Sequence, residues 1–97
     1  MIESEKKIEK LLVSEVKKLG GWCIKFLPFL VAGLPDRLCF LPDGILLIVE
    51  VKTTGQKTSA IQKVVHKKFN KIGFPVHVID TSEGVRNLLK DYENRRH

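Results

Sequence analysis

The chain carries a carboxylate where a carboxylate is costly. Glu50 follows Ile45-Leu46-Leu47-Ile48-Val49, five apolar residues without alternation, which is the pattern of a strand covered on both faces. An ionised side chain at the end of such a strand is heavily penalised unless something pairs with it. Side chains alternate along a strand, so Glu50 and Lys52 share one face while Val51 takes the other. Asp36 stands just ahead of a second strand-like segment, 37–41, and Pro42-Asp43-Gly44 between the two segments is a hairpin signal. A hairpin closed at that turn brings Asp36 and Lys52 to the same open end and sets Glu50 near Asp36 across the ladder. Two carboxylates and one ammonium then converge. Two readings follow from the residues. Lys52 forms a buried ion pair with Glu50 or Asp36, or the carboxylates and the main-chain carbonyl of Val51 make a hard-cation site suited to Mg²⁺, which keeps several waters. In the second reading the cation polarises a phosphodiester and acidifies a water, and Lys52 orients that water or stabilises the developing charge.

The elements that must position these groups are legible along the chain. A first helix is expected over 3–19, where Ile8, Leu11, Leu12, Val16 and Leu19 form one apolar stripe and Gly20-Gly21 ends it. Residues 22–26 read as a strand, followed by a loop with two prolines and a glycine up to Pro35. Strands are expected at 37–41 and 45–52, then a polar loop over 53–57. Ser59 caps a second helix, with Gln62 completing a capping box. Ile61, Val64, Val65, Phe69 and Ile72 supply its apolar face, and Gly73 stops it. A fourth strand spans 75–79. Thr81 or Ser82 caps a last helix bearing Val85, Leu88, Leu89 and Tyr92, and residues 94–97 read as a frayed basic tail. The order is α-β-β-β-α-β-α. A hairpin followed by a β-α-β crossover makes a mixed sheet with helices against its faces.

Composition narrows the function classes. The 97 residues make one domain, 1–97, and a hydrophobic fraction of 43% argues against disorder. No apolar run approaches the ~18 residues of a membrane span, and the first residues lack the apolar core of a secretion signal. The protein is therefore expected in the cytoplasm. Cys23 and Cys39 form no C-x-x-C pair, so buried thiols in a reducing compartment are expected rather than zinc. Seventeen Lys and Arg against 11 Asp and Glu give +6, which favours a polyanionic partner without separating nucleic acid from a membrane surface. Lys57, Lys63, Lys67, Lys68 and Lys71 gather on or near the second helix, either as a phosphate-tracking surface or as a solvated face. His66, His77 and His97 lack ligand spacing and are assigned no chemistry, and Trp22 reads as a core or interface residue.

Pro35-Asp36 followed by Glu50-Val51-Lys52 resembles the PD-(D/E)xK nuclease motif. The longer string Gly33-Leu34-Pro35-Asp36-Arg37, then Glu50-Val51-Lys52, then Gln62 in the next helix resembles the VRR-NUC branch, the virus-type replication-repair nucleases. The resemblance covers nearly the whole chain. It implies a restriction-endonuclease-like α-β-β-β-α-β core with a mixed central sheet flanked by helices. It also implies Mg²⁺, with Mn²⁺ able to substitute, and no small-molecule cofactor. By resemblance, Asp36, Glu50 and the Val51 carbonyl are metal ligands, Lys52 is the catalytic lysine, and Gln62 abuts the site, a role that competes with its place in the capping box. The family places an acidic residue of the first helix near the metal; Glu9 is the first choice and Glu5 the second. Arg37 contacts phosphate or a neighbouring carboxylate, and Lys57, Lys63 and Lys67 contact DNA. Short stand-alone members resemble homodimeric Holliday junction resolvases, so branched DNA and a second copy of the chain are the expected partners. A flap- or nick-type nuclease, a general DNA nuclease and a non-catalytic nucleic-acid-binding module are the other readings. The chain departs from the family's loop before Pro-Asp, where Leu27-Pro28-Phe29-Leu30-Val31 replaces more polar residues. That segment is read as a subunit interface, a wedge into a DNA junction, or core.

Overall fold

In a computed structural model, which describes residues 1–26 and 31–96, the elements run α1 (Glu5–Lys18), β1 (Trp22–Lys25), β2 (Arg37–Leu41), a 3₁₀ turn (Pro42–Gly44), β3 (Ile45–Val51), α2 (Ala60–Lys71), β4 (Val76–Ile79) and α3 (Ser82–Arg95). The strands lie in the order β1-β2-β3-β4, with β1, β2 and β3 antiparallel and β4 parallel to β3 across the α2 crossover. The result is the expected mixed sheet with helices on its faces. The hairpin closes where the turn residues predict, pairing Leu41 with Ile45 and Arg37 with Val49. Asp43 and Gly44 both adopt positive φ, 70° and 71°, a local conformation that Asp and Gly tolerate best.

Period-two alternation divides the sheet. One face carries Cys23, Cys39, Leu41, Val49, Val51 and Ile79, and α1 and α3 seal it with Ile8, Leu12, Val16, Val85, Leu89 and Tyr92. Burying each large aliphatic side chain here is worth about 1.5–3 kcal/mol, and this layer is the core. Cys23 and Cys39 are directly paired across β1 and β2, with their thiols 3.4 Å apart and free. The other face belongs to α2 and is only partly covered. Ile48 and Glu50 are buried beneath it, whereas Trp22 and Phe40, neighbours across β1 and β2, stay exposed. Coverage of β3 on both faces therefore holds only for its second half: Ile45 is exposed, Leu46 and Leu47 are half-buried, and burial is complete from Ile48 to Val51.

Several boundaries differ from expectation, each for a local reason. Ser4, not a residue before Glu3, caps α1 through the Lys7 amide. Pro75 has no N–H to give the ladder, and β4 begins at Val76. The tail is not frayed through Arg96: α3 runs to Arg95, the Arg96 guanidinium reaches Asp43 at 2.8 Å and lies over the Tyr92 ring, and Tyr92 donates to the Pro42 carbonyl. His97 and residues 27–30, which include most of the apolar loop, lie outside the described residues.

Glu3 ties three distant segments together. Its amide donates to the Thr54 hydroxyl at 2.9 Å and its carbonyl accepts from the Thr54 amide at 3.0 Å. Its carboxylate accepts from the Ser82 amide at 2.8 Å and from the Ser82 hydroxyl, with Lys7 alongside at 3.2 Å. The Ser82 hydroxyl, then the Ser82 amide, hold the Glu3 carboxyl down to about 2. A carboxyl whose folded pKa is depressed adds stability that is complete above its unfolded value and is lost as pH falls through the folded value. Glu3→Gln should therefore lower the urea midpoint near pH 6, and the gap from wild type should close between about pH 4.5 and pH 2. A gap that stays constant over that range would show that Glu3 acts through packing rather than charge.

Candidate active site

Glu50 is 2% exposed. It lies on the α2 face, and two residues of α2 reach it. The Gln62 side-chain amide donates to Glu50 Oε2 at 3.4 Å, and His66 Nε2 stands 3.4 Å from Oε1. Gln62 also completes the capping box, its amide oxygen accepting from the Ser59 N–H at 2.9 Å. The two roles expected to compete are therefore met at once, by opposite ends of one amide group.

Asp36 approaches from the neighbouring strand. The β2–β3 ladder ends with Arg37 opposite Val49, so one further step sets Asp36 opposite Glu50. Asp36 Oδ2 accepts the Val51 amide at 2.8 Å, and its own carbonyl accepts the Phe26 amide at 2.9 Å. The preceding Gly33 matters to this placement. Its φ is +84°, and a Cβ there would come within 2.8 Å of the Ile61 carbonyl, so only glycine lets this loop lie against the start of α2. Pro35 is fully buried behind it.

Burial, then the hydrogen bond and charge of Asp36, push the Glu50 carboxyl up to about 8, and Lys52 pulls in the opposite direction. Burial, and then Lys52, hold the His66 imidazolium below its ordinary range. Both shifts favour the uncharged forms, which weakens the ion-pair character of their contact. Lys52 follows β3 directly, its amide bonded to the Ile79 carbonyl at 2.9 Å, and its charge is felt at Glu50, Glu5 and His66. Asp36, Glu50, Val51, Lys52 and Gln62 thus come together at one end of the sheet.

Glu9 does not join them. Arg37 shares the strand parity of Val49, which turns it to the α1 face, and there its guanidinium grips Glu9 at 2.7 and 3.2 Å. Both side chains are largely buried. Among the described residues, no three His, Cys, Asp or Glu side chains are gathered as a metal cluster. Glu5, at the start of α1, is the first-helix acid that senses the site: burial, then Asp36 and Glu9, raise its pKa. Lys57, Lys63 and Lys67 are exposed, and with Lys71 the last two continue in four-residue steps along the outer side of α2. His66 was not expected here. The signal was its i+4 spacing from Gln62, which puts both on one helical face, rather than any spacing among histidines.

The donor set suits a hard divalent cation. It consists of carboxylate oxygens beside a main-chain carbonyl, and Glu50 Oε1 is a buried oxygen with no hydrogen-bond partner among the described residues. Burial favours the protonated Glu50 carboxyl, and a cation held there would displace that proton. A cavity of about 330 Å³ lined by Ile45, Leu47, His77 and Leu88 lies at the hairpin end of β3, away from Glu50, and brings no part of this cluster together.

No family model matches the chain. It is 42% identical over 79 residues to a phage protein named "Putative nuclease p44", from Acyrthosiphon pisum secondary endosymbiont phage 1, a match covering 81% of this chain and 85% of that protein. A solved structure described as a VRR_NUC domain is similar over 93% of this chain and 99% of its own, with a TM-score of 0.83 and 28% identity.

The raised Glu50 pKa carries a stability signature. Between the unfolded value of 4.5 and about 8 the folded chain holds a proton that the unfolded chain has lost, so stability should fall as pH rises across that window. In the presence of a chelator, Glu50→Gln should flatten this decline and raise the melting temperature at pH 8.5. In a domain of this size each 1 kcal/mol moves it by roughly 4–8 °C. Parallel wild-type and variant melting curves from pH 5 to 9 would contradict the assignment.

Proposed function

Because the chain belongs to the VRR-NUC nucleases, we propose that it is a Mg²⁺-dependent DNA endonuclease that works as a homodimer on four-way junctions. The observation that carries the catalytic reading is the juxtaposition of Asp36 with a buried, proton-holding Glu50, beside the Lys52 ammonium. Asp36, Glu50 and the Val51 carbonyl would hold the cation, and Mn²⁺ would substitute for Mg²⁺ in such an oxygen site. When bound, the cation supplies the charge that polarises a phosphodiester and acidifies a water. Lys52 orients the attacking water and offsets negative charge as it develops on the phosphoryl oxygens. Gln62, anchored at the N-terminus of α2, holds one edge of the Glu50 carboxylate. Arg37 would contact a phosphate, and Glu9, now held by Arg37 on the α1 face, would come to the cation only if that pair opened. Glu5, electrostatically nearer Asp36, is the other acid open to that role. Lys57, Lys63 and Lys67 track the DNA backbone, giving salt-sensitive, shape-driven binding.

The dimer reading rests on the half-covered sheet face. Trp22 and Phe40 are exposed side by side, and Ile61, Val64 and Val31 are exposed as well. An apolar surface of this kind on so small a domain suits a second copy related by a two-fold axis. That axis would present two equivalent sites to the symmetry-related strands of a junction. The phage relative supports a place of action in the cytoplasm of an infected cell.

Chelation should abolish cleavage, and Ca²⁺ should support binding without turnover. Asp36→Ala, Glu50→Ala and Lys52→Ala should each lower the rate by roughly 10²-fold or more, with DNA affinity largely kept. Normal cleavage by Glu50→Ala would refute the site assignment. Sedimentation at micromolar concentration should give twice the chain mass for wild type and the monomer mass for the double variant Trp22→Asp, Phe40→Asp. A wild-type monomer, with and without DNA, would remove the dimer. Initial rates at one salt concentration should be far higher on a mobile four-way junction than on linear duplex of the same sequence, with paired nicks on opposing strands. Equal rates would leave a general nuclease, and no cleavage of any duplex, flap, fork or junction would leave a binding module.

A further inference from the structure

We propose that His66 is a positioning residue of the metal site, holding the Glu50 carboxylate from α2 by donating its Nε2–H to Oε1. The inference deepens the divalent-cation reading above and rests on it. His66 and Glu50 are the two buried polar side chains among the described residues. His66 Nε2 and Glu50 Oε1 are also the two buried side-chain atoms left without a hydrogen-bond partner there, and they face each other at 3.4 Å. That separation is a few tenths of an ångström longer than a good N–H···O bond. A buried imidazole nitrogen and a buried carboxyl oxygen that face each other unbonded in the core are explained together by a state in which they bond.

Cation binding supplies that state. Once Glu50 is an ionised ligand, its remaining lone pairs lie in a buried environment and need donors, and hydrogen bonds to metal-ligating carboxylates orient them. Gln62 already serves Oε2, with its amide clamped by the Ser59 cap. His66, one helical turn further on, serves Oε1. The two residues grip both oxygens of one carboxylate from a single helix face, which fixes its rotation about the end of β3. A neutral imidazole suits this task better than lysine or arginine, because it donates without adding positive charge against the incoming cation. If His66 merely filled space between α2 and the sheet, any side chain of similar volume would serve.

The test is calorimetric titration of Mn²⁺ and Mg²⁺ into the full chain without DNA, comparing wild type, His66→Phe, His66→Gln and Glu50→Gln, with circular dichroism to verify folding. His66→Phe keeps bulk and removes the donor, and should weaken metal affinity by roughly 10–100-fold. His66→Gln restores a side-chain N–H and should recover most of that loss. In cleavage, His66→Phe should raise the Mg²⁺ concentration for half-maximal rate more than it lowers the rate at saturating Mg²⁺. Should phenylalanine disturb folding, His66→Leu provides the donor-free comparison. Wild-type affinity in the donor-free variant overturns the inference, as does equal weakening by phenylalanine and glutamine. If wild type binds metal, Glu50→Gln does not, and His66→Phe matches wild type, the metal site stands and only the role of His66 falls. If wild type binds neither ion, the metal reading falls with it.

Discussion

Burying a second carboxylate beside a first is the constraint around which the chain is organised. Glu50 sits at the end of an apolar strand, under a helix and opposite Asp36, where its charge is disfavoured by both desolvation and repulsion. A hydrophobic residue would fit the same position with no such penalty. The surrounding structure makes the carboxyl tolerable rather than comfortable. The Val51 amide holds Asp36 in place, Lys52 supplies a nearby positive charge, and Gln62 offers one hydrogen bond. A divalent cation, of the kind this nuclease fold uses, would offset that repulsion.

Strand alternation turns this local cost into an architecture. Even and odd positions of β3 divide the sheet into a sealed face under α1 and α3 and a working face under α2. The sealed face provides the stability. The working face keeps its helix pulled toward Glu50, which leaves Trp22 and Phe40 uncovered. The same parity separates Arg37 from Asp36, though they are adjacent in sequence: one turns to α1 and Glu9, the other to Glu50. Two neighbouring residues thus serve opposite layers.

The features legible in the sequence were those with a short-range cause. Apolar continuity marked β3, the Pro42-Asp43-Gly44 turn set the register, and alternation then brought Asp36 to Glu50. Ser59 and Gln62 announced their capping box three residues apart. What escaped depended on contacts that no local pattern encodes. Glu3 bonds Ser82 across 79 residues of chain, and Arg96 finds Asp43 across 53. The Arg37–Glu9 pair joins residues 28 apart, and only the strand parity of Arg37 points toward α1. The place of His66 follows from its phase with Gln62 on α2, which spacing among the histidines does not reveal. β3 is covered on both faces only from Ile48 onward, because apolar continuity describes a strand and not the length of the helix above it.

The crossover through α2 has a consequence for the chain before it is folded. The turn between β2 and β3 can bring Asp36 to Glu50 early, since closing a short hairpin is fast. Gln62 and His66 arrive only after β4 has docked in parallel on β3, a non-local event that comes late. Until then both carboxylates are bathed in water and meet neither the amide nor the imidazole of α2. A ribosome-bound or partly unfolded copy therefore lacks the assembled centre. The cluster around Glu50 is complete only once the segments on both sides of the α2 crossover have docked.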